Sequence, residues 1–465
     1  MSTTTTQTHV EVPAAMTNST LKAESKTSIS KSKPTTSVWN SLSLWLPSRN
    51  PDYDFWWGLT GPHLAVMLDA ADYPTEKQYE MLLFHYHWSV PYLGPRPSAD
   101  GMTKWKSLLE PDGSPIEYSW KWNTPSNEPD VRFTMEPINE FSGTALDPLN
   151  QLPSLELLHR LAEILPSIDL AWVHHFYSVC FDHDKAKYAQ EVAAGVPVGT
   201  TTCLAFEFVR QGLQLKSYFL PRKIGQKGLL PFTEWDSAIR QLEPTNAALD
   251  ALRDFLETSP EGKKMNPLNL AVDDVAPKKS RMKFYFQTPK TSFESVREIM
   301  AMGGRITGID SQLEELKSLI SAVTSLPANF PEDSDVPVEE KYHPKVEGSM
   351  GEVPGQSGYL YYFDIRPGAK LPEIKFYTPV SRYGRDDLTL AKALVGWMEG
   401  KGRQAFGKKY LDMLESMADH RNVNDGKGLQ TYVSCMFKKG GELDITTYIS
   451  PQVFHPGRVL GKAAH

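Results

Sequence analysis

The sequence predicts an α/β fold in which antiparallel strands close into one barrel and helices pack around its outside. Three observations carry that prediction. Short runs with period-two alternation recur along the chain. Neighbouring runs such as TTCLAFEFVRQG and LQLKSYFLP are joined by turns too short for a parallel crossover, so they pair as hairpins. Strand pairs alternate with helical segments, most clearly where KFYFQTP leads into SFESVREIMAMGG and IKFYTPV into LTLAKALVGWMEG. Hairpins and helices repeated about an axis close on themselves.

The elements follow in order. Residues 1–38 are rich in Ser, Thr and Lys with almost no large apolar side chains, so they cannot repay their ordering entropy and are expected to form a disordered tail. Glu11, Glu24 and the scarcity of Arg argue against a transit peptide. Residues 39–465 read as a single barrel domain. Apolar spacing predicts helices over Thr75 to Val90, Pro153 to Leu165, Glu234 to Leu242, Ala247 to Thr258, Ser292 to Met302, Ser311 to Leu326, and Leu388 to Ala418 with a break near Gly400 to Gly402. Strands are predicted at SPIEYSWKW, VRFTMEP, TCLAFEFV, LQLKSYFLP, SRMKFYFQTP, GYLYYFDIRP, EIKFYTPV, TYVSCMFKK and ELDITTYIS. Asn329 to Gly358, with its Gly and Pro residues, is expected to be a long surface loop inside the domain.

At 465 residues and 40% hydrophobic, the chain is long and apolar enough to bury a large core. Its net charge of -7 leaves no overall positive field for a nucleic acid, so any anion must meet a local cluster of Lys and Arg. Cys180, Cys203 and Cys435 lie far apart with no CxxC pair, which argues against a disulfide framework or zinc site and fits the cytoplasm. No apolar stretch approaches the ~18 residues of a spanning helix, so no membrane partner is expected. Nothing in the sequence chooses between a monomer and a homodimer.

Residues two apart on a strand share a face, which pairs Lys216 with Tyr218, Arg281 and Lys283 with Tyr285, and Lys375 with Tyr377. Met282, Phe284 and Phe376 fall on the opposite face, against helices. One such strand would show its polar face to water; three matched strands point to a barrel interior where the cations converge. No corresponding row of carboxylates is visible at those positions, so the expected partner is a highly charged ligand, most simply a diphosphate. The tyrosine faces would then stabilise a nearby carbocation and exclude water. Tyr432, Tyr448 and Arg132 extend the pattern. Glu117, in PIEYSWKW, is placed to accept a hydrogen bond from an aromatic acceptor's N–H. No DDxxD spacing for magnesium occurs: Asp273-Asp274 precedes Val-Ala-Pro, Asp386-Asp387 opens a helix, and Asp182-His183-Asp184 reads as a solvated turn.

Together PIEYSWKW, VRFTMEP, LKSYFLP, SRMKFYF, EIKFYTPV, TYVSC and ITTYIS, in this order and spacing, resemble the fungal indole prenyltransferases of the dimethylallyltryptophan synthase family, from about Trp56 to His455. The resemblance implies the ABBA-type prenyltransferase barrel, dimethylallyl diphosphate as donor, an indole acceptor, and metal-independent carbocation alkylation with no cofactor. On matching positions, Arg132, Lys216, Arg281, Lys283 and Lys375 would hold the diphosphate. Tyr218, Tyr285, Tyr377, Tyr432 and Tyr448 would shield the cation, and Glu117 would hold the indole. Two positions depart from the family pattern: Thr202-Cys203-Leu204 stands where relatives acting on free tryptophan carry a Lys, and Asp444 stands where relatives often carry a Tyr. The first departure favours a tryptophan-containing cyclic dipeptide or a later indole alkaloid over free tryptophan. The alternatives are a phenolic acceptor, such as a tyrosine, xanthone or hydroxynaphthalene, and a non-catalytic barrel that binds an anion or isoprenoid.

Overall fold

A computed structural model describes residues 35–459 apart from 99–100, 126, 197, 210–211 and 339–357. The expected tail therefore lies almost wholly outside the described residues; its last two members, Ser37 and Val38, open the first helix. Most of the expected loop from Asn329 to Gly358 also lies outside them.

Ten strands close into one barrel: β1 (Ile116–Lys121), β2 (Asp130–Met135), β3 (Thr202–Val209), β4 (Gly212–Phe219), β5 (Asn266–Asp273), β6 (Met282–Thr288), β7 (Tyr359–Asp364), β8 (Glu373–Thr378), β9 (Gln430–Phe437) and β10 (Leu443–Ile449). Each pairs antiparallel with its neighbour in sequence, and β10 returns to β1, with Tyr118 opposite Ile449 and Lys121 opposite Thr446. β5 is the strand that the alternation does not predict. Its sequence, NPLNLAVD, carries Pro267 near its start, and the pairing slips between Pro267 and Asn269, so a bulge replaces the regular period.

Outside the barrel run α1 (Ser37–Trp45), α2 (Pro51–Ala70), α3 (Thr75–Phe84), α4 (Leu152–Ile164), α5 (Ala171–Cys180), α6 (Lys185–Ala193), α7 (Phe232–Leu242), α8 (Ala247–Thr258), α9 (Phe293–Met300), α10 (Asp310–Thr324), α11 (Val380–Tyr383), α12 (Asp387–Gly400) and α13 (Gly407–Met417). Of these, α1, α2, α5, α6 and α11 are additions to the sequence reading. In α2, Trp56, Trp57, Ala65, Val66 and Met67 are all buried, so apolar residues fall on every side and leave no one-faced period to read. Asn50 caps its start by accepting from the Tyr53 amide at 2.9 Å, and Pro51 sits at the first helical position. Asp184 is the N-cap of α6, accepting from the Lys187 amide at 3.1 Å. The long segment expected from Leu388 to Ala418 does break between α12 and α13, where Gly402 takes a φ of +71°.

The outward strand faces are apolar and meet these helices. Phe284 lies 4.9 Å from the Trp235 ring on α7, Phe206 lies 5.4 Å from Phe84 on α3, and Trp120 lies 5.7 Å from Tyr410 on α13. Burying each such ring stabilises the fold by roughly 1.5–3 kcal/mol. The apolar core is therefore a shell between barrel and helices, which frees the barrel interior for polar side chains. Among the described residues no helix is long and apolar enough to cross a membrane.

Candidate active site

The inward faces carry a charged layer and, two residues further along each strand, an aromatic one. In the charged layer Lys216 and Lys283 are buried, and the more exposed Arg281 sits at its rim. Sequence reasoning expected no carboxylates here, and the structure corrects that. Glu207 on β3 and Asp273 on β5 stand between the cations. Glu207 pairs with Lys216 at 2.5 Å and with Arg132 at 3.1 Å. Asp273 meets Arg281 at 2.6 Å, Lys283 at 3.1 Å and Lys216 at 3.7 Å. Asp364 on β7 lies 3.7 Å from Arg281, and Asp444 on β10 lies 3.5 Å from Lys121 and 3.0 Å from Lys438.

These carboxylates were readable only with hindsight. Glu207 shares a face with Cys203 and Ala205 in the TCLAFEFV run, and Asp273, first of an Asp-Asp pair in the sequence, is the last residue of β5. Burial pushes Glu207 upward, but Arg132, Lys216 and Lys283 outweigh it and hold the carboxyl well below its usual range. Asp273 is held down in the same way by Lys283, Lys216 and Arg281. Lys283 moves in the opposite sense, to about 8, because burial and the neighbouring Lys216 disfavour its charge.

Lys375 differs from the others. It is 6% exposed, and among the described residues no carboxylate comes within ion-pair distance. Its ammonium donates to Thr446 Oγ1 at 3.3 Å and lies 5.4 Å from the Tyr377 ring centre and 5.9 Å from that of Tyr448. Burial lowers it to about 7 despite the attraction of Asp444.

The aromatic layer is continuous. Ring centres are 5.9 Å apart for Tyr218 and Tyr285, 6.1 Å for Tyr285 and Tyr377, 5.7 Å for Tyr377 and Tyr448, and 6.3 Å for Tyr448 and Tyr432. Tyr362 is an addition, 5.3 Å from Tyr285 and 6.1 Å from Tyr377. The sequence signal for it was present but ambiguous, because Tyr361 and Tyr362 are adjacent and only the register, Tyr362 opposite Tyr285 and Lys375, says which faces inward. Burial raises the phenols of Tyr218, Tyr285, Tyr362, Tyr377, Tyr432 and Tyr448, so they remain neutral hydroxyls around physiological pH. Such a belt offers electron-rich faces and few water sites.

Beyond the tyrosines lies Glu117 on β1, 8% exposed and accepting from Thr431 Oγ1 at 3.3 Å. Burial lifts its carboxyl to about 8. Cys203 stands opposite Tyr218 in the pairing of β3 with β4. Glu110, in the segment before β1, is buried close to Glu117 and was not singled out from the sequence.

A profile of the family described as tryptophan dimethylallyltransferase matches residues 52–413. The chain belongs to that family. A prenyltransferase of Penicillium roqueforti, anuH, is 55% identical to this tryptophan dimethylallyltransferase-family chain over 435 residues, 93% of this chain and 96% of the relative. Xanthone prenyltransferase A of Emericella nidulans is 47% identical over 443 residues, 93% of this chain and 99% of the relative. The crystal structure of NotF in complex with brevianamide F and DMSPP superposes with a TM-score of 0.71 at 22% identity, covering 89% of this chain and 98% of that one, which shows the shared ABBA-type barrel. This family member is thus an enzyme, an aromatic prenyltransferase.

Proposed function

We propose that the enzyme transfers a dimethylallyl group from dimethylallyl diphosphate to a carbon of a hydroxylated aromatic ring, without a divalent metal. The observation that carries this reading is the direct contact of the cationic layer with the tyrosine belt inside one closed barrel. Arg132, Lys216, Arg281 and Lys283 would exchange contacts now made to Glu207 and Asp273 for diphosphate oxygens, and Lys375 would take a further one. The allylic C–O bond then breaks and its electron pair leaves with the diphosphate. Tyr218, Tyr285, Tyr362, Tyr377, Tyr432 and Tyr448 enclose the cation and keep water from it. A π pair of the acceptor forms the new C–C bond, and loss of a ring proton restores aromaticity.

Glu117 would hold the acceptor through an O–H or N–H. Two relatives at 47% and 46% identity are named xanthone prenyltransferases, which supports a phenolic ring. The second reading, an indole in a tryptophan-derived substrate, is supported by the family's own description and by the PIEYSWKW context of Glu117. Purified enzyme incubated with dimethylallyl diphosphate, EDTA, and panels of hydroxyxanthones, other phenols, tryptophan and tryptophan cyclic dipeptides separates them. Prenylated phenol in EDTA is the expected result. Indole-only product replaces the acceptor assignment with the second reading, and turnover that needs added magnesium removes the metal-free mechanism.

A further inference from the structure

We propose that Glu207 and Asp273 are positioning residues for the donor: as internal counter-anions they hold the cations of the charged layer in place while the chamber is empty, and they take those cations back as diphosphate leaves. The inference rests on the reading of that layer as the diphosphate site.

Both carboxylates face the chamber. Glu207 on β3 lies opposite Arg132 on β2, Asp273 at the end of β5 lies opposite Lys216 on β4, and residues directly opposite in an antiparallel pair project to the same side of the sheet. Their side chains are 14% and 15% exposed, so the ion pairs sit largely out of water. Each of Arg132, Lys216, Arg281 and Lys283 meets one of the two, and Lys216 meets both. Asp273 alone gathers Lys216, Arg281 and Lys283, the same convergence of donors that a phosphoryl group asks for.

Like charges brought together inside a closed barrel repel, and long side chains have rotamer freedom to lose. The carboxylates meet both difficulties before any donor arrives. Lys375 shows the alternative: it rests on Thr446 and two rings, and burial erodes its charge. The four cations Arg132, Lys216, Arg281 and Lys283 outnumber the two carboxylates, so the cluster still attracts an anion.

The same arrangement keeps that attraction from becoming too tight. A diphosphate oxygen reaches Lys216 or Lys283 only by sharing or displacing a carboxylate, and the two anions repel each other at such range. When product diphosphate departs, the cations fall back onto partners 2.5 to 3.1 Å away. The sign of the effect identifies the role. A displaced counter-anion weakens diphosphate binding, so its removal tightens it; a carboxylate that only pinned the barrel would, on removal, loosen the layer and weaken binding.

The test is calorimetric titration of inorganic diphosphate into wild type, Glu207→Gln and Asp273→Asn at about pH 6.5, where Lys283 and Lys375 of the wild type are mostly charged. Each variant should bind diphosphate about tenfold more tightly. In steady-state assays donor KM should fall by a similar factor while kcat stays level or falls, because diphosphate leaves more slowly; a higher kcat refutes the release role. Glu207→Asp keeps the charge and should stay within about threefold of wild type. Unchanged or weaker binding in both variants, with folding verified by melting curves, would overturn the proposal, and in one variant it removes that carboxylate. Should one variant not fold, the other decides alone. Lys283→Ala separates the two layers of inference. If it leaves diphosphate affinity unaltered, the donor-site reading itself fails; if it weakens binding while neither carboxylate variant tightens it, only the counter-anion role fails.

Discussion

Lys375 allows the donor site to be tested quantitatively. Its amine is buried, has no carboxylate in ion-pair range among the described residues, and is lowered to about 7. Below that value it is an ammonium ready for an anion; above it, the free enzyme holds a neutral amine. A bound diphosphate restores the charge, so donor binding must take up a proton whenever the pH exceeds about 7. At pH 8 about ten of every eleven molecules start deprotonated, which costs about 1.4 kcal/mol, or roughly tenfold in donor affinity. Calorimetry with a thiolodiphosphate analogue, in two buffers of different ionisation enthalpy, counts the protons. At pH 8 wild type should take up about 0.9 proton more than Lys375→Met, because Lys283 and the ligand contribute equally to both. Donor affinity in the variant should also lose the wild type's decline between about pH 6 and about pH 8. Equal proton counts in the two proteins would refute the assignment of Lys375 to the diphosphate.

Other expectations follow from the same geometry. Lys283→Ala should lower kcat/KM for the donor by about 1.5–3 kcal/mol, roughly 10- to 150-fold, in steady-state assays. Tyr285→Ala and Tyr362→Ala should each raise the ratio of dimethylallyl alcohol to prenylated product, read by chromatography; an unaltered ratio counts against enclosure of the cation. Asp387 provides a structural control. It is buried and binds Arg421 at 2.5 Å and the Leu429 and Gln430 amides at 3.1 and 2.9 Å. Asp387→Ala should therefore lower stability by about 3–5 kcal/mol in denaturant titrations while leaving the product ratio unchanged.

The barrel was legible because its strands are amphipathic in an unusual sense, with ordered polar residues on one face and large apolar ones on the other. That alternation reveals β4, β6 and β8 and the side chains they share. It fails at β5, where Pro267 and a bulge break the period, and at α2, which is apolar all round. The cations and most tyrosines could be found because each recurs at the same spacing on several strands. Glu207 and Asp273 could not, since a single carboxylate on a strand carries no repeat. Glu110 lies outside any regular element, so only folding back beside β1 makes it a neighbour of Glu117.

The pairing of β10 with β1 joins residues more than three hundred positions apart, Tyr118 with Ile449, and it leaves no unpaired edge on the sheet. During synthesis the chain must therefore wait until β10 emerges before the ring can shut. Until then the margins of β1 and of the growing sheet present open amides and carbonyls to any other nascent chain. Removal of the β9–β10 hairpin would leave two such margins on an open sheet, a species expected to aggregate rather than to persist as a weakened enzyme.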